Sequence, residues 1–262
     1  MVLEKLVTIR EAVKHPLWMF VIGAAISVIS LFISFLVFPE SVGLFTTVLV
    51  TFIMTPFMVN LLTYEAFMTE VEIKKRIRQN FFQRHWDMLM IYTAFFSGMI
   101  VALSLTFIFL PDSTVEKLFQ DQINEIKLIR GSFLFSSTFL KIATNNVGVL
   151  VLATLFAFIF GSGAIFILSW NASVLSAAIG LTAKSIGGLS GIPLALVTYL
   201  PHGIFEIVAY FLGGIAGGIL SAAVMRRKTE LFGVIVIDSV KVLAVAIALL
   251  FVGALIETMM IA

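Results

Sequence analysis

The chain alternates long unbroken apolar runs with short charged stretches. From Leu17 to Phe38 no charged residue occurs, and a run of about 20 residues is what one α-helix needs to cross the hydrocarbon core of a bilayer. Runs from Val42 to Thr63 and from Met88 to Leu110 predict a second and a third span, and Leu231 to Ile256 predicts the last. Between Asn145 and Met225 the pattern stays apolar but is punctuated by Gly161-Ser162-Gly163, by the link KSIGGLSGIP and by Pro201-His202-Gly203. Two short apolar stretches, each followed by such a break and a longer helix, read as broken or re-entrant elements. Irregular backbone at membrane depth is tolerated only where protein or a watery cavity surrounds it. The expected class is therefore an all-α polytopic transmembrane helix bundle with broken or re-entrant helices in its C-terminal half. The unbroken runs exclude the alternating strands of a membrane barrel.

Charge orients these spans. Residues 64–87 are a helical segment with five Lys/Arg, short enough for the positive-inside rule, and the turn Arg226-Arg227-Lys228 is basic as well. Both belong in the cytoplasm, as does the N-terminus. Residues 1–16, with Lys5, Arg10 and Lys14 around Leu3, Leu6, Val7 and Val13, read as an interfacial amphipathic lead-in. The segment 111–146 falls outside. Its Val115, Leu118, Phe119, Ile123, Ile126 and Ile129 make an amphipathic helix that rests on the interface or covers the bundle. The best count is seven crossings within one integral membrane domain, 1–262, with five or six if a broken element is re-entrant.

Composition agrees. Of 262 residues 60% are hydrophobic and 12% charged, with a mean hydropathy of +1.11, whereas soluble domains carry roughly 25% charged residues. The lipid bilayer is the expected surrounding, in a multi-pass protein of the cell membrane. A net charge of +2 gives no reason to expect nucleic acid. With no cysteine and three histidines, neither a thiolate site nor a multi-histidine metal site is expected, and no cofactor is implied.

A charge at the bilayer centre costs from about 2.5 to well over 10 kcal/mol, so ionisable residues inside spans are the candidates for function. His202 and Glu206 stand at i and i+4 on one helical face, and Asp238 and Lys241 at i and i+3 enter the last span together. Each pair is expected to neutralise itself. Asn145, Asn146 and Asn171 flank the first broken element and can satisfy freed backbone groups. Gly213, Gly214, Gly217 and Gly218 form overlapping small-xxx-small patterns, a close-packing surface for another helix of this chain or of a second copy in a homodimer. Gly23, Ser27, Ser30 and Ser34 form such a stripe on the first span.

The asparagine pair Asn145-Asn146, Gly161 and Gly163, Asn171, the run Pro201-His202-Gly203-Ile204-Phe205-Glu206 and the terminal Ala254-Leu255-Ile256-Glu257 together resemble the stage II sporulation protein M family. The resemblance covers roughly residues 130–262, while the first half is similar in hydropathy only; Ala172 departs from the family's usual glycine. It implies a polytopic membrane protein found in bacteria and archaea, a family in which a member of spore formers works as an anchoring subunit with peptidoglycan-degrading partners and has no established catalysis of its own; other membrane proteins or a second copy are the expected partners here. The expected function is thus a non-enzymatic scaffold or assembly subunit whose His202/Glu206, Asp238/Lys241 and Glu257 groups hold helices in register. The alternative is a small transporter or channel with a polar path lined by His202, Glu206, Asp238 and Lys241.

Overall fold

The structure, a computed structural model, describes residues 7–74, 81–132, 138–225 and 229–261. Lys5, Lys75, Arg76, Arg78 and the turn Arg226-Arg227-Lys228 lie outside the described residues. The helices are α1 (Ile9–Lys14), α2 (Leu17–Val37), α3 (Val42–Lys74), α4 (Phe81–Arg84), α5 (Trp86–Phe109) and α6 (Asp112–Leu118). They continue as α7 (Gln120–Ser132), α8 (Thr138–Phe160), α9 (Ala164–Ser185), a 3-10 turn (Gly188–Gly191), α10 (Ile192–Met225) and α11 (Thr229–Ile261). Among the described residues seven of these are long and apolar enough to cross a membrane: α2, α3, α5, α8, α9, α10 and α11. The all-α polytopic bundle read from the pattern is what the chain forms.

Short connections make consecutive spans antiparallel. At one end α2 turns into α3 within four residues, and Phe38 stacks on Phe45 across that turn, with ring centroids 3.7 Å apart. At the same end Asp121 of α7 accepts hydrogen bonds from the Gly43 and Leu44 amides (2.9 and 3.2 Å), satisfying donors that a helix N-terminus leaves open. Lys184 donates to the Leu110 carbonyl and to Asp112, closing the end of α5 (2.6 Å each). Val115, Leu118, Phe119 and Ile126 are buried, so the amphipathic segment covers the bundle instead of resting beside it. At the opposite end α1 begins with a capping box. The Thr8 backbone amide and hydroxyl bind the Glu11 carboxylate (2.8 and 2.9 Å) and hold it below the usual carboxylate range.

Small residues bring the helices together. Gly23 lies against the Phe95 carbonyl and Gly98 against that of Phe20, so α2 and α5 touch backbone to backbone, with Ser27, Ser30 and Ser34 buried along the same stripe. The second glycine cluster does the same for α10. Gly213 meets Leu150 and Thr154, Gly214 meets Ala164, Gly217 meets the Thr154 carbonyl and Ala157, and Gly218 meets Leu62. These four glycines therefore seat α8, α9 and α3 of their own chain; this face is occupied without a second copy.

Two of the three interruptions that the sequence suggests are present, and the third is not. Gly161, at φ 70°, turns α8 into α9, and Gly187 and Gly188, at φ 120° and 74°, turn α9 into the 3-10 segment before α10, a left-handed backbone that favours glycine. By contrast, α10 runs without a break through Pro201-His202-Gly203. Pro201 removes the donor for the Val197 carbonyl, yet the packing on both sides keeps the helix continuous. The fourth span also begins at Thr138, ahead of Asn145.

Replacing Gly98 or Gly217 by leucine should lower unfolding stability in detergent by about 1–3 kcal/mol or more, because a side chain there meets backbone. Gly148→Ala, which places its methyl in open space, should leave stability unchanged or raise it by about 0.5–1 kcal/mol.

Candidate functional site

A cavity of about 730 Å³ lies among α5, α7, α8, α9, α10 and α11. Ile100, Ile126, Leu168, Leu175 and Ile207 give it mostly apolar walls, and Phe96 and Phe211, stacked at 5.4 Å, line it too. Into this space the chain brings His202, Glu206, Glu257, Asn145, Asn146, Asn171, Tyr199 and Tyr210. Lys141 and Asn145, both exposed, stand on its rim at the start of α8, with Met260 and Ile261 at the end of α11. Glu206 is about 21 Å along α10 from Ile192 and about 28 Å from Met225, at 1.5 Å per residue. It is near the middle of its span.

The partner of Glu206 is not His202. Glu206 Oε1 accepts a 2.6 Å hydrogen bond from Nδ2 of Asn146, which is 6% exposed, and Asn145 Nδ2 donates in turn to Asn146 Oδ1 (3.3 Å). This chain of amides ties α8 to α10. A carboxylate taken out of water needs such a donor, and a charge-assisted hydrogen bond is about twice as strong as a neutral one. His202 packs edge-on to Tyr199, with ring centroids 6.4 Å apart, while its buried Nδ1 has no hydrogen-bond partner among the described residues. Gly253 of α11, one turn before Glu257, closes against Glu206 and the His202 carbonyl, both 3.3 Å from where its Cβ would stand. Asn171 donates to the Ile167 carbonyl of its own helix (2.8 Å), so it serves α9 rather than a neighbour.

Asp238 and Lys241 do not join this site. Their atoms stand 3.7 Å apart with Lys241 72% exposed, and the closer partner of Asp238 is Arg84, 3.0 Å away. Fifteen residues separate Asp238 from Gly253, about 22 Å along α11, and neither Asp238 nor Lys241 lines the cavity around Glu206. Near Arg84, His85 Nδ1 lies 3.2 Å from Glu65 Oε2, and both side chains are buried. His85 is thus part of a buried pair between α3 and the α4–α5 junction. Nothing local in the sequence marks that pair, because its members are 20 residues apart. The cavity residues Tyr199, Tyr210 and Lys141 were missed for a related reason, whereas Gly203 stands in the run that the sequence singled out. Among the described residues no three His, Asp or Glu side chains come together as metal ligands do.

Seven apolar spans and a polar cavity at mid-depth define a multi-pass membrane protein. The chain belongs to the stage II sporulation protein M family, which matches residues 20–260, so the likeness extends through the first half and not only from residue 130. No curated protein and no solved structure matches the chain.

Asn146→Ala should cost about 1–3 kcal/mol of unfolding stability by leaving Glu206 without its donor. In a Glu206→Ala background the same change should cost markedly less, and a double-mutant cycle measures the difference.

Proposed function

We infer that this protein is a small-solute carrier of the cell membrane whose binding site is the cavity around Glu206. The observation that carries this reading is the cavity itself, an apolar-walled space with polar groups near the middle of the α10 span, bounded by five spans. Substrate sites of secondary transporters lie at such depth. Had the polar groups served only as a latch, they would be expected to satisfy one another in a filled interior; instead His202 Nδ1 is unpaired and about 730 Å³ is open beside it. The basic segments around residues 64–87 support placing the Arg84 end, and the N-terminus, in the cytoplasm. The cavity rim then faces outward. Catalysis plays no part in this reading.

The second reading is the scaffold or assembly subunit. It is favoured by the Asn146–Glu206 bond, which joins α8 to α10 as a structural latch does. Partners would be other membrane proteins or a second copy of the chain.

Proteoliposomes challenged in turn with small amines, amino acids, sugars and carboxylates separate the two. A carrier should give a substrate-evoked current or uptake with at least one class, and Gly203→Trp should reduce it by at least about tenfold while the unfolding midpoint holds, since a Cβ at Gly203 meets nothing within 4 Å. A protein inert to all four classes that purifies at fixed stoichiometry with another membrane protein is a scaffold.

A further inference from the structure

We propose that the cavity binds an organic ammonium with an apolar body. This deepens the carrier reading and rests on it. Its polar groups are mainly acceptors: both Glu257 oxygens, the Glu206 oxygen not engaged by Asn146, and His202 Nδ1 in its Nε2–H tautomer have no donor among the described residues and line one space. Among the described residues that line the cavity the one lysine or arginine is Lys141, which lies out on the rim. A ligand that supplies several N–H donors and one positive charge completes this set. An anion would face two carboxylates.

Size and walls fix the rest of the ligand. An ammonium group alone occupies little of about 730 Å³, and the remainder is lined by aliphatic side chains and by the rings of Phe96, Tyr199 and Tyr210. Ring faces attract cations, and aliphatic walls bury a carbon chain. An entry route for such an amphiphile is present. A second hollow of about 560 Å³, running along α8 from Leu140 to Leu152 past Gly148, shares Lys141 and Asn145 with the cavity rim. An apolar tail can therefore lie along α8 while its head passes Asn145 into the cavity.

The test uses the full chain in nanodiscs and three probes of equal carbon number: hexylammonium, hexanoate and hexan-1-ol, with binding measured by calorimetry. Hexylammonium should bind at least about tenfold more tightly than the other two, the value of one charge-assisted hydrogen bond. Glu257→Gln and Glu206→Gln should each weaken it by at least about tenfold, and Gly203→Trp should abolish it. Glutamine keeps an acceptor for Asn146, so Glu206→Gln retains the latch. Absence of hexylammonium binding, equal binding of hexanoate or hexanol, or indifference to both glutamine substitutions overturns the proposal. Binding without transport in proteoliposomes leaves the ligand class standing and removes the carrier; transport of carboxylates or sugars alone does the reverse.

Discussion

Removing a carboxylate from water is the costliest thing this chain does, and the arrangement of its C-terminal half follows from how that cost is met. Glu206 stands mid-span on α10, where lipid offers no hydrogen bond. Asn146 of α8 supplies one at 2.6 Å, and Asn145 backs that amide in turn. Because the donor lies on one neighbouring helix and Gly253 of α11 closes from another, three spans are fixed around a single side chain. The second carboxylate, Glu257, faces the same open space. Beside it His202 Nδ1 has no hydrogen-bond partner among the described residues.

Glycine supplies the other half of the design. Where Gly213 and Gly217 let α10 press closely on α8, the bundle is tight; Gly203, ten residues earlier on the same helix, has nothing within 4 Å of where its Cβ would stand, and the helices stand apart. One residue type thus closes the interior on the Arg84 side and opens it toward the α7 side. At the Arg84 end the ionisable groups pair off in Arg84–Asp238 and His85–Glu65, so charge there closes the structure, whereas charge around Glu206 lines a space.

Much of this was legible in sequence. Apolar run length gave the spans, because lipid thickness imposes a length that no tertiary contact alters. Intramembrane charge pointed to His202 and Glu206, the family resemblance to Glu257, and the small-residue stripes to the close-packed faces. What could not be read was pairing across distance: Glu206 with Asn146 is 60 residues apart, and Arg84 with Asp238 is 154. Local spacing suggested that His202 would satisfy Glu206 and Lys241 would satisfy Asp238, yet a neighbour on another helix won in both cases. Pro201 misled for a similar reason. Its local effect is to break or kink a helix, but α10 continues through it without a break.

The chain has no cysteine, so a single thiol can report on the cavity directly. Gly203→Cys in proteoliposomes, treated with a charged, membrane-impermeant thiol reagent, should react far faster than Phe52→Cys, which replaces a residue 79% exposed on an apolar face. A thiol reacts as its thiolate, which forms where water reaches and not in lipid. Rapid modification of Gly203→Cys is the result expected of a solute-accessible space at membrane depth; a thiol there as inert as the one at position 52 contradicts it.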